Sequence, residues 1–86
     1  MVEKIETLIK NSLPDATIYV MDPYNDGQHF QALVISPTFD GVSVVEQHQM
    51  VMNPLREALE TDVHALGLKT FTPEKWERKK GQYGME

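Results

Sequence analysis

The chain has 86 residues, of which 41% are hydrophobic and 24% are charged, and its formal net charge is −5. A chain of this length forms one small domain, and an acidic protein is poorly suited to binding nucleic acid mainly through its phosphates. The absence of cysteine excludes a disulfide framework, a thiolate nucleophile and a metal site built on thiolates of this chain alone.

The first part of the sequence predicts a helix followed by a β-hairpin. Apolar residues recur at helical spacing between residues 2 and 13. Acidic residues interrupt them, so this segment predicts a helix of the mature protein and no signal peptide. Residues 16–21 and 29–36 are rich in β-branched and aromatic side chains and predict two strands. The turn formers between them favour an antiparallel pair joined by a long loop.

Two helices are predicted after the hairpin. Ser43 and Glu46 have the spacing of a capping box, in which the serine accepts from a free amide and the glutamate reaches back. This helix is expected to run to about Met52. Asn53 and Pro54 then favour a new helix to about residue 60, because asparagine caps helices and proline suits the first helical position.

A third strand and a fourth helix complete the predicted domain. Residues 63–70 have strand character, and Thr72 caps a helix that carries Trp76. Residues 81–86 predict a flexible tail, which leaves a single domain over residues 1–80. The order α-β-β-α-α-β-α predicts an α+β fold with a three-stranded mixed sheet and helices packed on one face.

No pattern in the sequence predicts an active site. It contains neither a G-x-S-x-G elbow nor a glycine-rich phosphate loop, and its acidic residues are scattered singly. No apolar run approaches the roughly 20 residues needed to cross a bilayer. We therefore expect a protein without enzymatic activity, located in the cytoplasm and not in a membrane.

The three histidines are the best candidates for a binding site. His29 and His64 each begin a predicted strand, where side chains on a rigid scaffold often bind ligands. The alternative is structural, with His29 flanking a turn and His64 at the edge of the core. His48 lies in the second predicted helix and is expected to be partly exposed. Two imidazoles from one chain leave a metal ion short of ligands, so a partner would have to complete the site.

Three stretches of the chain together resemble the BolA family, and in detail its IbaG-like branch. They are DGQHFQALVIS, PTFDGVSVVEQHQMVMNPL and VHALGLKTFTPEKW, which between them span residues 26–76. The resemblance implies a fold similar to class II KH domains, with a helix-turn-helix-like pair over residues 43–61. It also implies a protein that binds a monothiol CGFS glutaredoxin and serves iron–sulfur cluster trafficking or iron and stress sensing.

The resemblance also implies the ligands of a shared [2Fe–2S] cluster. The glutaredoxin cysteine and glutathione would supply thiolates, while His64 would be the ligand from this chain and His29 its second ligand. Imidazole in place of thiolate makes a cluster less negative and raises its potential, as in Rieske centres. The isolated chain is expected to bind no cluster and to be a monomer or a weak homodimer.

The alternative function is transcriptional regulation through DNA binding by the KH-like surface. Residues 43–61 contain only Arg56 as a basic residue against three acids, and the chain has Gln47-His48 where other members carry Arg-His. Residues 69–86 are more basic, with five basic residues against three acids. The candidate surface for a partner or for weak DNA binding therefore consists of His48, Arg56, Arg78, Lys79 and Lys80.

Overall fold

The computed structural model describes residues 2–22, 30–58 and 66–84. These residues form the three α-helices and three strands of an α+β fold. None of the described helices is long and apolar enough to cross a membrane. In chain order they are α1 (Val2–Ser12), β1 (Thr17–Met21), β2 (Phe30–Ile35), a 3-10 helix (Pro37–Phe39), α2 (Val44–Ala58), β3 (Leu66–Phe71), α3 (Pro73–Lys79) and a second 3-10 helix (Lys80–Tyr83).

The predicted mixed sheet is confirmed, with strand order β1-β2-β3. β1 and β2 are antiparallel, and Thr17 lies opposite Ile35. β2 and β3 are parallel, and Phe30 lies opposite Leu66. Parallel neighbours need a crossover connection, which contains α2 here. The central strand β2 is therefore held by hydrogen bonds along both of its edges.

The main core lies between the sheet and the two longer helices, α1 and α2. Side chains alternate between the two faces of a strand, and Phe30, Ala32 and Val34 of β2 point towards these helices. The remaining buried side chains of this core come from both helices and the adjoining loops: Ile5, Ile9, Leu13, Ala16, Phe39, Val51 and Leu55.

The opposite face of the sheet is covered by α3, which differs from the expectation that helices pack on one face only. Leu33 and Ile35 alternate with the core residues of β2, and they form a second cluster with Phe71 and Trp76. Trp76 is 8% exposed. A sheet that is apolar on both faces must be covered on both, which accounts for the short helix on this side.

The first part of the predicted tail is structured. The second 3-10 helix places the ring of Tyr83 on that of Trp76, with ring centroids 5.8 Å apart. Tyr19 stacks on the same indole at 5.8 Å. Apolar contact with Trp76 therefore extends the packed part of the chain beyond residue 80.

The predicted break at Asn53 and Pro54 is wrong, because α2 is one helix that contains Pro54. A proline inside a helix removes a hydrogen bond and costs about 3 kcal/mol. Val51 and Leu55, on either side of it in the sequence, are both fully buried in the core. Their packing holds the helix together across the proline, so residues 44–58 do not form the expected two-helix pair.

Candidate functional site

The starts of β2 and β3 lie side by side in the sheet. His29 and His64 both lie outside the described residues, and nothing in the structure tests their roles. The first described residues that follow them, Phe30 and Leu66, are direct partners in the parallel ladder. His29 precedes Phe30 by one residue and His64 precedes Leu66 by two. The pairing therefore places side by side the first described residues that follow the two predicted ligands.

His48 lies on a groove along the outer edge of β3. This β3 groove has a volume of about 420 Å³, and His48 is half-buried in its wall, in keeping with the partial exposure predicted for it. α2 forms one wall of the groove, and the end of α3 with the following 3-10 helix forms the other. The lining residues are Val44, His48, Leu68, Lys69, Thr70, Phe71, Lys79, Gln82 and Tyr83.

Gln47 anchors the wall of this groove, and its role could not be seen in the sequence. It is 4% exposed. Its Nε2 donates to the carbonyl oxygens of Phe39 at 3.2 Å and Val42 at 2.7 Å. Its Oε1 accepts from Thr70 Oγ1 at 2.6 Å. The side chain thus joins the loop before α2 to β3, in the position where the resemblance led us to consider an arginine.

The capping prediction for α2 is confirmed at Ser43. Its Oγ accepts from the backbone N–H of Glu46 at 3.2 Å. The predicted cap of α3 is also present, since Thr72 Oγ1 accepts from the N–H of Lys75 at 3.3 Å. These caps fix where α2 and α3 begin, and both helices form walls of the β3 groove.

The predicted basic surface is divided in the structure. Lys79 lines the β3 groove together with His48, whereas Arg56 is exposed on α2 outside the lining. Arg78 lies 3.9 Å from Glu74, and Lys80 Nζ lies 2.7 Å from Glu77. Arg78 of α3 and Lys80 of the following 3-10 helix therefore both lie beside acids of α3.

The described residues do not contain a metal site of their own. Among them, no group of three or more His, Cys, Asp or Glu side chains is placed to hold a metal ion. A metal centre that included this chain would need residues beyond the described ranges, ligands from another molecule, or both.

Comparison with known proteins identifies the family. A family model described as BolA-like protein matches residues 8–75. The Acid stress protein IbaG of Escherichia coli is 34% identical over 76 residues, which is 87% of each chain. The DNA-binding transcriptional regulator BolA of Escherichia coli is 32% identical over 82 residues, covering 87% of this chain and 78% of that protein.

The solved structure of a BolA homologue from Coxiella burnetii has the same fold. It superposes with a TM-score of 0.75 at 35% sequence identity, covering 91% of this chain and 97% of that one. Sequence and fold therefore agree over most of the molecule, and the chain belongs to the BolA family, in which it is an IbaG-like member.

Proposed function

We propose that this protein is an adaptor without catalytic activity that binds a monothiol CGFS glutaredoxin and shares a [2Fe–2S] cluster with it. His64 would be its principal cluster ligand and His29 the second. The observation that supports this most directly is the parallel pairing of Phe30 with Leu66, since two ligands from one chain can serve one cluster only if their segments converge.

The donor set of the chain fits a shared cluster better than a resident one. The chain has no cysteine, and the described residues supply no group of three metal-binding side chains. Two imidazoles would leave the remaining iron positions to thiolates from outside, which a glutaredoxin cysteine and glutathione can provide. When bound, such a cluster would carry one electron at a higher potential than an all-thiolate cluster.

The sheet provides a rigid base for ligands located just before the starts of β2 and β3. β2 is the central strand, and all of its residues except Gln31 are buried. A strand with neighbours on both sides and apolar contacts on both faces changes little when a partner binds. We expect such a base to keep Phe30 and Leu66, the first described residues after the proposed ligands, at a constant separation.

His64→Ala is the sharpest test of the proposed ligand. A glutaredoxin loaded with cluster and glutathione is titrated with this protein, and visible absorption and circular dichroism are recorded. The wild type should change the spectrum with saturation at one equivalent, whereas His64→Ala should leave the glutaredoxin spectrum unchanged. Gln49→Ala is the control, because Gln49 is exposed on α2 outside the candidate partner surface, and this variant should behave as wild type.

Two further results bear on the same proposal. His29→Ala should shift the mixed spectrum without abolishing it if His29 is the second ligand. The isolated wild-type chain should purify without stoichiometric iron and sulfide. A mixed-cluster spectrum retained in His64→Ala, with its fold confirmed by far-ultraviolet circular dichroism, would rule out the assignment.

DNA binding is the second candidate, and the name of one relative favours it. The charge on the described surface argues against strong binding, because Arg78 and Lys80 each lie beside an acid of α3. If DNA is the ligand, fluorescence anisotropy on a selected duplex library should show sequence preference and a steep dependence on salt. We expect weak binding without preference.

A further inference from the structure

We propose that the outer edge of β3 binds an extended acidic segment of another protein, which adds to the sheet as a fourth strand in the β3 groove. This inference does not depend on the proposed cluster. The groove involves residues 68–71 of β3, whereas His64, the proposed cluster ligand, precedes the start of that strand in the sequence.

The backbone of β3 has hydrogen-bonding groups on its outer side. The carbonyl oxygen of Phe71 accepts from the N–H of Ser36 at 3.1 Å, so the backbone of Phe71 faces the β2 side. Alternate residues of an extended strand direct their backbone N–H and C=O groups to opposite sides. The backbone groups of Leu68 and Thr70 therefore point away from β2. In the described sheet, β3 is the last strand in the order. Exposed strand edges of this kind are templates for pairing with another chain.

The groove has the dimensions of a short strand. Residues 68–71 extend over about 10–13 Å at 3.3 Å per residue, which matches a bound segment of four or five residues. α2 and α3 cover opposite faces of the sheet, so an added strand would enter between them. Backbone hydrogen bonds would supply affinity, and the two walls would select the side chains.

The two walls differ in chemistry, and they predict an alternating sequence. Lys69 pairs with Leu33 in the ladder and therefore lies on the α3 side, where Lys79 also lines the groove. On the α2 side, Val44 is 55% exposed at the groove wall. Because side chains of a strand alternate between faces, acidic residues would face the lysines and β-branched residues would face Val44.

The same charges disfavour other occupants. Among the described residues, the side chains that line the groove include no acid, although the whole chain has a net charge of −5. The same edge of a second copy would bring Lys69 close to another lysine, and like charges across strands are destabilising. A single-stranded nucleic acid would need an aromatic ring for stacking. Both aromatic residues among the described lining, Phe71 and Tyr83, already contact the ring of Trp76.

The test uses a blocked hexapeptide, TEVETE, titrated into the labelled full-length protein and followed by amide NMR. Shifts should concentrate at residues 68–71, Val44 and His48, and intermolecular contacts should show strand pairing. Charge reversal in Lys69→Glu with Lys79→Glu should weaken binding about tenfold, since two exposed ion pairs are lost. Lys75→Glu is the matched control, because it reverses an exposed charge of α3 outside the groove.

Two more probes decide between the occupants. A hexapeptide with lysine in place of glutamate should bind at least tenfold more weakly, and N-methylation of the backbone on the pairing side should abolish binding. The proposal is overturned if TEVETE binds Lys75→Glu and the double variant equally, if its shifts lie outside the groove, or if an oligothymidine binds there more tightly.

Discussion

At the scale of single residues, Gln47 is the polar side chain on which the local structure depends most. Three hydrogen bonds tie it to two carbonyl groups and to Thr70. Gln47→Ala would leave these buried groups without partners, and we expect a loss of about 2–3 kcal/mol in the free energy of unfolding. Urea denaturation measures this loss. Gln49→Ala, an exposed glutamine of the same helix, should change stability by less than about 0.5 kcal/mol.

A coupling measurement separates the bond to β3 from the bonds to the loop. Thr70→Val removes the hydroxyl that donates to Gln47 Oε1, and the double variant should show a coupling of about 1 kcal/mol with Gln47→Ala. Additive effects of the two substitutions would mean that this hydrogen bond contributes nothing to stability.

Residue roles were predictable from sequence where they depend on neighbours along the chain. The caps by Ser43 and Thr72 needed only a spacing of three residues, and both are present. The burial of Gln47 depends on Thr70, which is 23 positions away, so the local pattern showed only a polar residue in a helix. The roles of His29 and His64 remain predictions, because both residues lie outside the described ranges.

At the scale of elements, α2 and the first 3-10 helix place proline in opposite settings. Pro54 lies inside α2, whereas Pro37 begins the 3-10 helix, where the lack of an N–H matters little. Pro54→Ala should raise the free energy of unfolding by about 1–3 kcal/mol, and hence the melting temperature by about 4–8 °C per kcal/mol. Calorimetry measures both quantities.

Pro37→Ala provides the opposite case. It should lower stability by about 0.4–1 kcal/mol, because it only makes the unfolded chain more flexible.

Loss of stability in Pro54→Ala would show that packing around Pro54 outweighs the hydrogen bond that it removes. The sequence predicted a helix break here because the local rule for proline is strong. It could not include the burial of Val51 and Leu55, which keeps α2 continuous.

At the scale of the whole molecule, the sheet is covered on both faces. The chain after α3 packs on the same face as α3. A chain that ends at Lys80 would lose Tyr83 from the indole of Trp76. We expect this truncation to cost about 1–3 kcal/mol of stability and to shift the Trp76 emission to longer wavelength. Tyr83→Phe keeps the ring and should behave as wild type. Unchanged stability after truncation would support a domain that ends at residue 80.

The sequence predicted the order of the main elements and the mixed pairing of the strands, because periodicity and turn residues are local signals. It placed all helices on one face of the sheet, whereas α3 covers the opposite face. Trp76 predicts that α3 packs on the sheet, but both faces of β2 are apolar. The length and direction of the chain after Phe71 decide which of the two faces α3 covers.

The central position of β2 also has a consequence for synthesis on the ribosome. β2 ends at Ile35, and its parallel neighbour is complete only at Phe71. At 5–20 residues per second, the ribosome needs roughly two to seven seconds to make the intervening chain. During that interval one side of the most apolar strand has no native partner in the nascent chain. The newly made protein is then most open to chaperones and to aggregation, and this exposure ends only when β3 has emerged.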